Sequence, residues 1–440
     1  MKTVEINVKI DIMTFKPTKY NLMCCATGRR FEDEGWLLAD PSCQCPSLVR
    51  AEYEMKQFNP RSELDGFYRY ADWLPIRRTL ENSCAPVTYK SEALAAHLGL
   101  ENLYITFSGY WPEKGARMET ASFKETEAYS VCARLPENND RIMVVASAGN
   151  TARAFAKVCS DNKIPVLISI PEDNINALWF SKPLNGCVKI IASPKGSDYC
   201  DAIALADTVC RSPRFMAEGG AKNIARRDGM GTTLLSAVET IGRIPDAYFQ
   251  AIGSGTGTIA VWENNLRLIE DGRYGTHKMR LYPSQNDPFT IMYDSWKQHS
   301  RNLVPMTPEE ARKAAAEIDA KVLSNRKPPY PLIGGLFDAM EDATGDIYKV
   351  SNSELQEWKH RFREIEGIDI HNAAAVAVAS LAMAVNEGAV KKDEVIMLNI
   401  TGGGEERAKA EHEMTYAKPH LVLDPSLPEE TIVSAVEKLF

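Results

Sequence analysis

RIMVVASAGNTARAFAKVCSDNKIPVLISIPE, residues 141–172, decides the fold. RIMVVASAGN is an apolar, β-branched run that ends in small turn residues, the pattern of a strand. TARAFAKVCSDN then repeats apolar residues at helical spacing, with Ala152, Phe155, Ala156 and Cys159 on one face. IPVLISIPE is a second apolar strand. Strand, helix, strand over about thirty residues predicts a right-handed βαβ unit and a parallel sheet.

The alternation continues on both sides. SFKETEAYSVCARL predicts a helix ahead of residue 141, and SEALAAHLGL another that stops at Gly99. ENLYITFSGYWP reads as a strand running into a loop. Downstream, NALWFSKPLNG predicts a helix stopped by Gly186 and VKIIASPKG a strand. SDYCDAIALADTVCR predicts a helix with Ser197 or Asp198 as its N-cap. The glycine-rich AEGGAKNIARRDGMGTT reads as an interlude before a helix, LLSAVETIGR. A second α/β stretch follows: strand AYFQAIG, turn GSGTG, helix TIAVWENNLRLIEDG and strand KMRLYPSQNDP. Residues 305–365 read as helical, charged and peripheral. AAAVAVASLAMAV is apolar on every face and predicts a buried helix, VIMLNITGGG a strand ending in glycines, and PSLPEETIVSAVEKL a capped surface helix. The opening MKTVEINVKIDIMTF alternates like a strand and begins an N-terminal cap over residues 1–65.

The bulk numbers narrow the function. The 440 residues exceed what one core holds and predict two or more domains. Hydrophobic content of 44% and charged content of 25% are ordinary for a globular enzyme-sized chain. A net charge of −8 argues against a nucleic-acid backbone as partner. No apolar run is long enough to span a bilayer, and the N-terminus lacks the apolar block of a signal peptide. This pattern predicts a cytoplasmic protein whose ten cysteines are thiols. Cys24 and Cys25, then Cys43 and Cys45, hint at a zinc ribbon. Their CC and CxC spacings are poor for two thiolates on one ion, so the expected metal set is none. The seven histidines show no HExxH or paired spacing.

Four short stretches can carry chemistry. Gly253, Ser254, Gly255, Thr256 and Gly257 lie between a strand and a helix, where amides and the helix's positive end attract an anion. No Gly-Lys-Ser/Thr follows, and GxGxxG spacing is missing, so a tight turn remains an alternative. Ser147, Ala148, Gly149, Asn150 and Thr151 form a second such turn, able to cradle a carboxylate, face a flat ring, or simply cap a helix. Thr401 heads TGGG at a strand's carboxyl end, where ligands sit in open α/β sheets, although a plain loop has the same appearance. Lys124 follows Ala121-Ser122-Phe123, a setting suited to an amine held inside a cavity. A lysine is nucleophilic only when neutral, which needs a desolvated or electropositive site. A lysine, an anion cradle, a ring-facing amide and a hydroxyl together match what pyridoxal 5'-phosphate requires.

At these residues the chain resembles the tryptophan-synthase-β-like, fold type II pyridoxal-phosphate enzymes. The landmarks are YRYADWLP, APVTYKSEALAAHLGLENLYI, METASFKE, SAGNTARAFA, AIGSGTGTIA, EGIDIHNAAAVAVASLA and LNITGGG. Most of the chain is similar to threonine synthase, and most closely to the cysteate synthase branch, threonine-synthase paralogues of methanogenic archaea. The resemblance implies two open parallel-sheet α/β domains with a small N-terminal cap. Residues 66–130 and 240–440 would form the large cofactor domain and 131–239 the small one. It implies Lys124 as the Schiff-base lysine and Asn150 beside the ring oxygen. It implies Gly253–Gly257 as the phosphate loop, Thr401 at the pyridine nitrogen, and Ser147–Thr151 gripping the substrate carboxylate. It also implies small-molecule substrates, O-phospho-L-serine and sulfite giving L-cysteate on a route to coenzyme M, and a homo-oligomer.

There are departures. ASFKET stands where threonine synthases read GSFKDR, SAGN replaces STGN, and GSGTG replaces GNxGN. Threonine synthase acting on O-phosphohomoserine, a cysteine synthase using sulfide, and a non-catalytic relative remain rival readings. Arg153 and Arg117 are candidate anion holders. Arg153 shares with Lys157 the helix face opposite the apolar one, which predicts a solvated position.

Overall fold

The computed structural model describes residues 15–136 and 138–440. The strand expected at the very start therefore falls almost entirely outside the described residues. Two parallel sheets, each covered by helices, carry the chain. The larger has six strands in the order Tyr348–Val350, Arg280–Asn286, Ala247–Ala251, Val395–Ile400, Asn102–Phe107, Val87–Lys90. All neighbours in it are parallel except the last pair. Such strands are buried on both faces and read as continuous apolar runs. Val395–Ile400 (VIMLNI) is buried at every position.

The second sheet orders Phe215–Ala217, Ile142–Ala146, Val166–Pro171, Val188–Ser193 and Leu421–Val422, all parallel. The two strands and helix of residues 141–172 lie here as expected, with helix Asn150–Asp161 between them. Helix Asn372–Asn386 is buried along most of its length behind the larger sheet, which explains a segment apolar all round. Helix Tyr199–Val209 is capped by Asp198 in a reciprocal box with Asp201.

The cap is an antiparallel sheet of Arg30–Phe31, Tyr20–Cys24 and Val49–Tyr53. It is pinned by a buried guanidinium: Arg134 donates to Asp33, to Asn223 Oδ1 and to Leu37 O. Among the described residues all ten cysteines are free thiols, and no group of three or more His, Cys, Asp or Glu side chains is placed to hold a metal. No helix among them is long and apolar enough to cross a membrane.

Three expectations need correction. NALWFSKPLNG is not a helix: a 3-10 turn Glu172–Ala177 leads to strand Trp179–Phe180, which pairs antiparallel with Thr415–Tyr416. Pro183 lacks a donor for a helix there, and burying Trp179 decides the conformation. The glycine-rich interlude is largely helix, Ile224–Ile241. Its glycines serve close packing rather than a turn, because a Cβ at Gly229 would lie 2.8 Å from Ser130 Cβ and penetrate the Thr126 carbonyl. The C-terminal end does not stay with the large domain of residues 240–440. Strand Leu421–Val422 joins the second sheet, and helix Glu429–Glu437 packs its Ile432 and Val436 into that sheet's core.

Candidate active site

The carboxyl ends of both sheets open into one cavity of about 760 Å³. Ala146, Ala217, Ala251 and Thr401 mark four strand ends on its wall, the position where open α/β sheets bind ligands. All twelve expected site residues, Lys124, Ser147, Ala148, Gly149, Asn150, Thr151, Gly253, Ser254, Gly255, Thr256, Gly257 and Thr401, line it.

Lys124 begins helix Lys124–Arg134, and the turn before it is fastened from several sides. Thr120 N donates to Glu125 Oε1 at 2.6 Å, and Arg153 holds Thr120 O. Phe123 N donates to Thr401 O, and Gly403 N to Ala121 O. Ala121 sits at φ 51°, a left-handed backbone that glycine adopts without strain. That is the position where the resembling motif carries glycine, so here the turn spends conformational energy to aim Lys124.

Only a fifth of the Lys124 side chain is exposed, and its Nζ lies 3.1 Å from Glu127 Oε2. Glu127 is fully buried, and its other oxygen faces Arg226 Nη1 at 3.2 Å. Arg226 also grips Glu218 through Nε and Nη2. Burial lowers the Lys124 amine below the ordinary lysine range; Glu127 pulls it back up and Arg226 pushes it down. Burial works against the Arg226 charge too, but Glu127 and Glu218 outweigh it and hold that guanidinium firmly protonated.

The phosphate-loop candidate joins strand Ala247–Ala251 to helix Thr256–Asp271. A Cβ at Gly253 would lie 2.8 Å from Val322 O, and one at Gly255, where φ is 77°, would lie 2.8 Å from Leu336 Cδ2. At these two glycines the chain is bare backbone, and the first turn of a helix lies beside it. Ser254 Oγ and Thr256 Oγ1 pair at 2.7 Å, and Ser254 Oγ accepts from Thr256 N. Gly255→Ala is expected to weaken pyridoxal-phosphate binding at least tenfold, through a left-handed residue costing about 1 kcal/mol and displacement of Leu336. Titrating the cofactor's absorbance against the apoprotein checks this.

Asn150 opens helix Asn150–Asp161, and its Oδ1 accepts from Arg153 Nη2 at 2.9 Å. Here the expectation of a solvated face fails. Arg153 is 2% exposed, donates to Thr120 O, Ala177 O and Asn150 Oδ1, and lies over the Trp179 ring. Lys157 is also buried, between Tyr129 OH and the carboxylates of Glu125 and Asp161. The helix is covered on both sides, by its sheet and by helix Lys124–Arg134, so it has no solvated stripe at these positions. Arg117 is exposed and does not line the cavity.

The donors fit pyridoxal phosphate: a buried amine of lowered basicity, a glycine-rich cradle at a helix start, a fixed amide and a threonine at a strand end. The comparisons agree. A family model described as pyridoxal-phosphate dependent enzyme matches residues 88–402. The chain belongs to the pyridoxal-phosphate-dependent enzymes. Within that family it is 46% identical to a cysteate synthase of Methanocella paludicola over 95% of this chain and 97% of the relative. It is 45% identical to a cysteate synthase of Methanosarcina acetivorans over 94% and 99%. Among solved structures, maize serine racemase matches with TM-score 0.54 at 16% identity, covering 72% of this chain and 88% of that one. A fungal L-serine ammonia-lyase from Rhizomucor miehei matches with TM-score 0.56 at 13%, covering 74% and 98%. At those identities the structures speak for the fold alone.

Sequence reading missed Glu127, Glu218, Arg226 and His371. His371 lines the cavity, with Nε2 3.0 Å from Glu405 Oε2. Glu127 had a signal, its i+3 spacing from Lys124, but nothing local says that both partners are buried.

Proposed function

We infer that this pyridoxal-phosphate-dependent enzyme is a cysteate synthase, replacing the phosphate of O-phospho-L-serine by sulfite to give L-cysteate, on a route to coenzyme M. The observation that carries the reading is the near-full-length likeness to cysteate synthases of methanogens. The cavity suits it: both substrates are anions, and Lys124 and Arg226 stand on its wall.

The cofactor, when bound, supplies an electron-accepting ring that acidifies the substrate's α-hydrogen. The protein's part is to hold and to move protons. Gly253–Gly257 would present amides to the cofactor phosphate, Asn150 would offer an amide fixed by Arg153, and Thr401 a hydroxyl at the strand end. The turn Ser147–Thr151 takes the substrate carboxylate, its shape set by Gly149 N donating to Ser147 Oγ at 3.1 Å. The Lys124 amine would remove the α-proton of the substrate and later return it. A neutral hydroxyl at Thr401, rather than a carboxylate, suits elimination and replacement at the β-carbon. The reading includes a cytoplasmic homo-oligomer, as is usual in this class.

The test is phosphate release from O-phospho-L-serine by the purified holoenzyme, with and without sulfite. Sulfite-dependent release with L-cysteate as product is expected. Turnover of O-phosphohomoserine instead would assign a threonine synthase, and preference for sulfide a cysteine synthase.

A further inference from the structure

Lys124 meets a carboxylate that its reaction does not obviously require. Glu127 is one turn along the same helix, fully buried, with Oε2 3.1 Å from Nζ. An ordinary i, i+3 pair lies on a helix surface, where it stabilises little. This one lies in the core, and desolvating a carboxylate there costs several kcal/mol unless a cation compensates. Arg226 supplies that cation at the far oxygen, and Glu218 in turn holds Arg226. The row Lys124–Glu127–Arg226–Glu218 joins helix Lys124–Arg134 to helix Ile224–Ile241 and the end of strand Phe215–Ala217, and its Lys124, Arg226 and Glu218 line the cavity. Arg226 is shared between Glu127 and Glu218, so two carboxylates face one guanidinium and the charges of the row cancel only when Lys124 carries its proton.

The chemistry uses that balance. Replacement at the β-carbon leaves Lys124 with a proton to store. The α-carbon's C–H bond breaks, the proton goes to the Lys124 lone pair, and the electron pair expels phosphate from the β-carbon. Sulfite then forms the C–S bond with the sulfur lone pair, and a Lys124 N–H proton returns to the α-carbon. Between those events phosphate leaves and sulfite enters, so the cavity opens to solvent while an ammonium in an apolar setting tends to lose its proton.

We propose that Glu127 is the proton-holding partner of Lys124, stabilising its ammonium form against loss to solvent until the proton is returned. This rests on the β-replacement reading above. Arg226, 3.2 Å from the far oxygen of Glu127, holds that carboxylate in place and so acts as a positioning residue. Burial and Arg226 favour the neutral amine that begins the cycle; Glu127 favours the charged amine that completes it. The charged groups facing Lys124 Nζ are Glu127 on its own helix, Arg226 across the wall and Glu218 behind it.

The isosteric Glu127→Gln keeps the shape and a polar contact but removes the charge. Two measurements read it. In the apoprotein, the pH midpoint at which Lys124 captures pyridoxal phosphate, followed by absorbance, is expected to fall, because the group that raises the amine's basicity is gone. With holoenzyme, α-deuterated O-phospho-L-serine and sulfite, the fraction of deuterium kept in the product is expected to fall at least threefold against wild type. A merely structural Glu127 would lower stability or turnover without moving either. An unmoved midpoint, an unchanged deuterium fraction, or a wild type that keeps no deuterium overturns the proposal. A wild type that makes no cysteate from sulfite overturns the functional reading instead, and the capture midpoint still judges Glu127. Glu127→Asp, which withdraws the carboxylate but keeps its charge, is expected to fall between wild type and Glu127→Gln in both.

Discussion

Lys124→Met is expected to abolish covalent capture of pyridoxal phosphate and to slow phosphate release from O-phospho-L-serine by about a thousandfold or more. Methionine keeps the length and packing of the side chain and removes only the amine. The cradle at Gly253–Gly257, the Asn150 amide and Thr401 remain, so the variant still binds the cofactor, reversibly and without the absorbance of the bonded form. Stability adds a sign that distinguishes a reactive buried amine from a surface charge. The Lys124 basicity is lowered in the fold, chiefly by burial. A lysine so placed binds its proton less tightly folded than unfolded, which destabilises the fold at pH below the folded value. That penalty fades as pH rises through the folded value toward the ordinary lysine range. The stability of apo Lys124→Met relative to the apo wild type should therefore fall as pH rises from neutrality into the alkaline range. The substitution also removes the hydrogen bond to Glu127 and leaves that carboxylate only its 3.2 Å ion pair with Arg226, a loss that works against the gain from lifting that penalty. A variant that retains phosphate release within tenfold of wild type would remove Lys124 from the chemistry. A variant whose relative stability rises with pH would mean that the amine is not held below its ordinary range.

What was legible before the structure was whatever depends on local order. Apolar runs predicted the inner strands of both sheets but not their edge strands, and the small-residue turns at 147–151 and 253–257 face one cavity together with Thr401. These stretches are legible because a strand end, a turn and a helix start lie next to each other in the chain. What depends on partners distant in the chain was not. Helical periodicity placed Arg153 and Lys157 opposite the apolar face, which is correct, but periodicity cannot say that a second helix and Trp179 cover that face as well. Glycines at 229 and 231 suggested an interlude before the helix, although they let helices approach; a Cβ at Gly231 would clash with the Asn264 side chain. Leu421–Val422 is only two residues long, too short for any pattern, yet it completes the second sheet. The Lys124–Glu127–Arg226–Glu218 row draws on three separate segments, and its meaning lies in burial that composition does not reveal.

Arg153→Ala is the second large effect, and it separates two roles for that side chain. As an anion holder, Arg153 would alter the kinetics for phosphoserine or sulfite and leave the fold intact. The structure instead gives its donors to the protein: Nε and Nη2 to Thr120 O, Nη1 to Ala177 O at 2.8 Å, and Nη2 again to Asn150 Oδ1. Burial pushes its pKa down to about 10, which still leaves it charged at neutral pH. Removing the guanidinium orphans two backbone carbonyls and frees Asn150, at about 1–3 kcal/mol for each buried acceptor left unpaired. It also leaves a void beneath Trp179. The expected result is a loss of about 3 kcal/mol or more in denaturant unfolding, together with weaker cofactor binding, because the Thr120 turn that aims Lys124 and the Asn150 amide lose a common anchor. Arg153→Lys should recover less than half of the loss. A single ammonium restores charge and part of the packing, but it cannot span Thr120 O, Ala177 O and Asn150 Oδ1 as a planar guanidinium does. If Arg153→Ala unfolds like wild type and changes only the dependence on sulfite, the guanidinium is reaching substrate after all. If lysine restores everything, charge rather than the three-way clamp is what the site uses.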